Sequence, residues 1–288
     1  MKILCTWVIL FLLTGCSDFL FLLKSEQKIY SDTPSSKVIK ETVVDKTYAD
    51  KAKTPSTTQD PSKNLTTSTV NSTKPVNIKP FSPTKILKVG SQGEDVLALK
   101  KQLADLHYDV GWVDSSYDQQ TRQGVMAFQK YNQLERTGTY TLETQKAVYL
   151  ATRPDGLFPE LGLPRIEIDI TRQVLLFFDA QGLNRVIPVS TGTNRKYCEL
   201  SKKSGKQVCG VANTPRGTFS IQSRIYGKRE SDLGVLYNPL YFNGGFAIHG
   251  SPSVPNYNAS HGCVRIPIAT SVWFYESIQN GTPVIVFN

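Results

Sequence analysis

Ser260-His261-Gly262-Cys263-Val264-Arg265 is the stretch on which the reading of this chain turns. The residues around Gly262 suggest a tight turn, because glycine adopts unusual backbone angles without the strain other residues incur. If the segment is extended, His261 and Cys263 face the same side. A second histidine lies upstream in Ile248-His249-Gly250-Ser251, at the end of an expected strand. The chain has three histidines, and two of them stand within fifteen residues of this cysteine.

A thiol with an imidazole within reach is what covalent acyl transfer requires. The sulfur attacks as the thiolate, and a free thiol with its pKa near ~8.5 needs a base or a cation beside it to react at neutral pH. On spacing alone either His249 or His261 can be that base. The backbone N–H groups of Gly262 and Cys263 are candidates for an oxyanion hole. Arg265 is a candidate clamp for a substrate carboxylate, with Ser260 on the same substrate-binding segment. Standing alone, a cysteine is usually a small buried hydrophobe. Zinc also accepts His249, His261 and Cys263 as ligands, but no fourth ligand clusters with them, and no metal is expected.

Outward from this stretch, strand signals dominate residues 160–288. Ile166-Glu167-Ile168-Asp169-Ile170 alternates, and Val174 to Phe178 is an apolar run after a Thr171-Arg172 turn. Val186 to Val189 and Gly217 to Ile225 read as further strands. Tyr241 to His249 is a strand broken at Gly244-Gly245, and Pro283 to Phe287 closes the chain. One helix is expected from Ile268 to Gln279, with Val272, Trp273 and Ile278 as its apolar side. This is a mainly β catalytic domain with the look of a sandwich.

Residues 85–152 change pattern. Acids at Glu94 and Asp95 lead into Val96, Leu99, Leu103 and Leu106, an apolar stripe at helical spacing. A turn around Gly111 and the Asp114–Asp118 segment open a second helix with Val125 and Phe128. Thr137-Gly138 and a cap at Thr141 open a third with Ala147 and Val148. The fold class is therefore multidomain α+β: a small three-helix module followed by a mainly β domain.

The N-terminus points to export. Residues 1–23 carry one lysine and then an apolar run, a secretory pattern. Leu13-Thr14-Gly15-Cys16 resembles a bacterial lipobox, which makes Cys16 a candidate for lipidation. The apolar run resumes after Asp18, so Ile3 to Leu23 is also long enough for an uncleaved membrane anchor. Residues 24–84 are rich in Ser, Thr, Lys and Pro and too polar to offset their ordering entropy, which reads as a disordered spacer. Eleven lysines against six acids between Lys24 and Lys85 supply much of the net charge of +9. A charge so placed suits a solvated tail near an anionic surface, and no nucleic-acid motif accompanies it. In an exported chain Cys198 and Cys209 are candidates for a disulfide around a polar loop, leaving Cys263 as the odd thiol.

Two resemblances extend this reading. Gly90-Ser91-Gln92-Gly93, Val96, Leu99, Leu103, Leu106, Tyr108, Gly111, Asp114, Thr121, Val125, Phe128-Gln129, Leu134, Gly138, Thr144 and Ala147 resemble a type-1 peptidoglycan-binding module. The module's usual Phe-Gly is here Tyr117-Asp118. His249-Gly250 followed by Ser260-His261-Gly262-Cys263-Val264-Arg265 resembles the signature of YkuD-type L,D-transpeptidases. Val189-Ser190-Thr191-Gly192 and Thr214-Pro215-Arg216-Gly217-Thr218-Phe219 support it. The interval from His249 to Ser260 is shorter than in many members, which leaves the shape of the loop Ser251 to Ala259 open.

The resemblance implies Cys263 as acyl-enzyme nucleophile and His249 as its base. It implies that the Gly250 carbonyl orients that imidazole, with His261 beside the thiol, an oxyanion hole around Gly262 and Cys263, and Arg265 toward substrate. The implied reaction joins peptidoglycan tetrapeptide stems, as acyl donor and acceptor, without cofactor. The expected location is the cell envelope, membrane-anchored and facing the wall, with glycan-peptide as the module's partner. Water as acceptor would make an L,D-carboxypeptidase, and a protein amine would anchor that protein to the wall. A non-catalytic wall-binding lipoprotein and a stem-cutting cysteine peptidase or amidase are the competing readings.

Overall fold

The computed structural model describes residues 85–288. The expectations for residues 1–84, Cys16 among them, lie outside the described residues. The first helix, α1 (Glu94–Asp105), begins with two acids in its first turn, where they complement the helix dipole. Asp118 caps α2 (Gln119–Tyr131) by accepting the Thr121 N–H at 2.7 Å. Thr141 caps α3 (Leu142–Leu150) through the Thr144 N–H. These caps satisfy donors that the helix itself leaves open. The Tyr117-Asp118 pair therefore has a local purpose: Tyr117 is buried with its hydroxyl on the Gly138 carbonyl, and Asp118 starts α2.

After a short 3₁₀ turn at Pro159–Leu161 the chain forms twelve strands and a fourth helix. In order they are β1 (Arg165–Asp169), β2 (Val174–Asp179), β3 (Gly182–Pro188), β4 (Lys196–Leu200), β5 (Gln207–Val211), β6 (Gly217–Ser220), β7 (Ser223–Arg224), β8 (Lys228–Ser231), β9 (Gly234–Asn243), β10 (Phe246–Ser251), β11 (Val264–Pro267), α4 (Ile268–Ser277) and β12 (Pro283–Phe287). One sheet runs β3-β2-β1-β12-β6. A second runs β11-β10-β9-β7, with β8 also on β9, and β4 pairs only with β5. The two larger sheets enclose a core of Ile166, Ile168, Leu175, Phe177, Phe242, Ile248, Val264 and Phe274.

Strand β2 explains how the helices attach. Its run Val174-Leu175-Leu176-Phe177-Phe178 is buried along its whole length. Alternation sends Leu175 and Phe177 into the sandwich. Val174, Leu176 and Phe178 go the other way, joining Val186, Tyr108 and Phe128 in the helical module's core. Each such side chain contributes about 1.5–3 kcal/mol of apolar burial. The segment between α1 and α2 also lies along the edge of β3: Asp109 N–H donates to the Val186 carbonyl, and Val186 N–H to the His107 carbonyl. The module thus covers an edge that would otherwise stay unpaired.

Three local expectations need correction. The run Gly217 to Ile225 is two strands in different sheets, β6 on β12 and β7 on β9. The polar stretch between Cys198 and Cys209 is a β-hairpin, with the two cysteines directly opposite each other. Helix α4 turns Phe274, Thr270 and Ser271 inward and leaves Val272 exposed, while Trp273 and Ile278 pack on the core as expected. Its buried hydroxyls are satisfied: Thr270 donates to Asp109 Oδ2 at 2.6 Å, and Ser271 donates to the Ile268 carbonyl at 2.7 Å. A polar face with partners can be buried, and the apolar count missed it.

Candidate active site

Strands β10 and β11 bring the motif together. They pair in parallel with His249 opposite Arg265 and Ile248 opposite Val264. Cys263 sits in the bend immediately before β11, two positions ahead of Arg265. His249, Cys263 and Arg265 all line one cleft of about 700 Å³, together with Ser260, His261 and Tyr237.

The turn before β11 is built tightly. Gly262 has φ of +131°, and a Cβ there would sit 2.5 Å from the Phe246 ring and 2.9 Å from the Asn213 carbonyl, so both conformation and space require glycine. Ser260 Oγ accepts the Gly262 N–H at 3.0 Å and donates to the Cys263 carbonyl. The Gly262 N–H is therefore committed inside the turn, which corrects the expectation that it faces an oxyanion. Ser260 acts within the turn while also lining the cleft. Thr214 Oγ1 accepts the Gly192 N–H and donates to the Gly262 carbonyl, both at 2.8 Å, tying the two upstream motifs to the turn before β11.

The two histidines have different surroundings. His249 is 6% exposed, with Nδ1 2.9 Å from the Gly250 carbonyl. A carbonyl only accepts, so Nδ1 carries the proton and Nε2 holds the lone pair. Burial, with Arg265 adding to it, lowers the His249 pKa to about 4, so the ring is neutral near pH 7. His261 instead reaches away from β10. Its Nε2 is 3.0 Å from Glu199 Oε1, and its ring meets Tyr197 edge-on at 4.8 Å. Both partners lie on β4.

Cys263 opens to the cleft, and its sulfur lies 3.8 Å from the Gly245 carbonyl. Burial pushes its thiol pKa up, while the Ala247 N–H and Arg265 pull it down without reversing that direction. A raised thiol and a depressed imidazole on the walls of one cleft are both in their neutral forms near pH 7. Cys198 and Cys209 form a disulfide, and Cys263 is the free cysteine among the described residues. Among the described residues no three His, Cys, Asp or Glu side chains gather where they could hold a metal ion, and no helix is long and apolar enough to cross a membrane.

Sequence reasoning missed Glu199, Tyr197 and Phe246. The first two sit inside the Cys198–Cys209 segment or next to it, and reading that segment as a hairpin would have placed one strand face over the motif. Phe246 directly follows the Gly244-Gly245 break and is the first residue of β10.

A family model described as the L,D-transpeptidase catalytic domain (YkuD) matches residues 164–286, and a peptidoglycan-binding domain model matches residues 92–148. Among solved structures, the chain is similar to an L,D-transpeptidase from Xylanimonas cellulosilytica at 36% identity and TM-score 0.62, covering 73% of this chain and 100% of that one. An L,D-transpeptidase from Stackebrandtia nassauensis matches at 20% identity and TM-score 0.38, covering 72% and 98%. One from Mycobacterium smegmatis matches at 21% and 0.33, covering 43% and 58%. No curated protein sequence matches the chain.

Proposed function

Because the chain belongs to the YkuD family of L,D-transpeptidases, we propose that it cross-links peptidoglycan tetrapeptide stems through an acyl-enzyme on Cys263. Its substrate is peptidoglycan, which puts its work in the cell envelope. The observation that carries the mechanistic reading is the bond from His249 Nδ1 to the Gly250 carbonyl, which leaves a neutral Nε2 as acceptor on a ring that lines the same cleft as Cys263.

In the first half-reaction His249 Nε2 takes the thiol proton as sulfur attacks the carbonyl of the third stem residue, an L-centre diamino acid. The Cys263 N–H supports the oxyanion. The C–N bond to the terminal D-alanine breaks, and the imidazolium returns the proton to that leaving amine. In the second half-reaction a side-chain amine of another stem attacks the thioester, His249 takes its proton, and the thiol is released. Arg265 faces the substrate peptide from the same side of the sheet. His261 supports the turn through Glu199. Membrane attachment through residues 1–23, by lipid on Cys16 or as a helix, belongs to the same proposal and rests on sequence.

Incubation of the chain with purified tetrapeptide muropeptides, followed by mass analysis of protein and products, tests the reading. The expected result is an adduct on Cys263 and cross-linked dimers. Tripeptides without dimers would make water the acceptor. An unmodified cysteine with unchanged muropeptides would overturn the proposal.

A further inference from the structure

Lys130 lies on α2, in the helical module, and its side chain is fully buried. Its ammonium reaches out of the module into the β domain. There Nζ donates to the Val189 carbonyl at 2.7 Å and to the Pro255 carbonyl at 3.1 Å. Both acceptors are carbonyls, so no carboxylate offsets the charge in these bonds. A cation buried without a counter-ion loses hydration that two neutral carbonyls do not fully replace. Burial, reinforced by Arg136 and Arg122, lowers its pKa to about 7. An apolar side chain would fill the same volume at less cost, so packing does not account for a lysine here.

The two carbonyls belong to the segments that build the catalytic turn. Next to Val189, Ser190 exchanges both backbone hydrogen bonds with Arg265. Ser190 Oγ also donates to the Tyr257 carbonyl at 2.7 Å and accepts the Ala259 N–H at 3.1 Å. The Ser260 N–H then donates to the Thr191 carbonyl, and Ser260 Oγ binds both Gly262 and Cys263. Pro255 lies within the loop Ser251 to Ala259, which joins His249 to the catalytic turn. Six residues beyond Lys130, Arg136 Nη1 donates to the Asn256 carbonyl at 3.2 Å, and Asn256 Nδ2 donates back to the Arg136 carbonyl at 3.0 Å. The module thus holds this loop at two adjacent residues and holds the opposing segment at Val189.

We propose that Lys130 is a positioning residue for acyl transfer, fixing the segments at Val189 and Pro255 so that the turn carrying Cys263 stays in register with His249. On this inference the helical module is part of the catalytic machinery, besides any role in holding the wall. It rests on the assignment of Cys263 as the nucleophile.

The test is Lys130→Met in the full chain, a change of similar shape that removes the donors and the charge. Steady-state kinetics on tetrapeptide stems, intact-mass acylation of Cys263 and thermal unfolding are measured together. A displacement of about 1 Å at a catalytic group can cost up to ~100-fold. The expected result is a kcat loss of ~10-fold or more with KM little changed and Tm equal to or above that of the parent. Parental kcat at unchanged or raised Tm would show a packing role and overturn the proposal. If Lys130→Met does not fold, Arg136→Leu carries the test on the exposed half of the clamp. There a kcat loss of ~3-fold at unchanged Tm supports the proposal, and parental kcat overturns it. Failure of the unsubstituted chain to acylate at all would instead refute the assignment of Cys263.

Discussion

Strand β2 and the β4–β5 hairpin are held by opposite means. Strand β2 is buried on both faces, packing Leu175 and Phe177 into the sandwich and Val174, Leu176 and Phe178 against the helices. The hairpin is mostly exposed and pairs with no other strand. It carries the Cys198–Cys209 disulfide, and its turn bonds to the β8–β9 turn through Ser201 Oγ to Asp232 Oδ1 at 2.6 Å. Each region has a polar contact toward the motif: the helical side through Lys130 on the Val189 and Pro255 carbonyls, the hairpin through Glu199 on His261. Where apolar area is available, packing supplies rigidity. Where it is not, a covalent bond and a few polar contacts take its place.

The largest expected effect is at the proposed nucleophile itself. Cys263→Ala should abolish adduct formation on stems while thermal unfolding stays near that of the parent. A covalent adduct on the mutant would move the nucleophile elsewhere.

The next effect separates the histidine of the buried sheet from the histidine held by the hairpin. His249→Ala should lower the acylation rate by ~10²–10⁴, the usual range for a general base. His261→Ala should cost less, within ~10-fold, because its ring is engaged by Glu199 outside the proton path. The reverse ranking would reassign the base to the hairpin side. The same contrast has a pH signature. A base needs its neutral form, so acylation should hold as pH falls and fail only near about 4, where His249 becomes protonated. Because the Cys263 thiol is raised, alkylation of the free enzyme by iodoacetamide should keep climbing through and beyond the ordinary thiol range. A flat alkylation rate down to mildly acidic pH would instead indicate a preformed thiolate–imidazolium pair.

Stability should divide the two regions in the same way. Phe178→Ala, in the core shared with the helices, should cost about 3–5 kcal/mol by thermal or denaturant unfolding. The double change Cys198→Ser with Cys209→Ser removes a constraint worth about 2–3 kcal/mol on the chain-entropy estimate. Its effect should stay local, seen as faster amide exchange over residues 196–211 with a small shift in global Tm. Equal losses of global stability from both would mean that the hairpin is as much a part of the core as β2.

The helices were legible because Val96, Leu99 and Leu103 repeat at helical spacing, and because Asp118 and Thr141 are residue types that cap helices. The strands of the first sheet were legible from their alternation or their apolar runs. The corner between β6 and β7 was not, since the same residue types serve either sheet. The inward face of helix α4 was read only in part, because burial of Thr270 and Ser271 depends on Asp109 and Asn238, which are remote in sequence. The motif around Cys263 was visible, but the use of the Gly262 N–H was not, because it depends on which way the Ser260 hydroxyl points.

From residue order alone came the chemical types: a thiol, two imidazoles and a glycine turn in one short stretch, a cysteine pair, and a helical period ahead of a strand period. These are local properties, set by side-chain chemistry and by spacing along the chain. The fold set the surroundings of each. It put His249 on a strand beside the Cys263 turn with Nδ1 on a carbonyl, sent His261 to Glu199, and passed Lys130 from one domain into the other. Those surroundings depend on distances between residues far apart in the chain, and such distances exist only once packing has removed the chain's freedom.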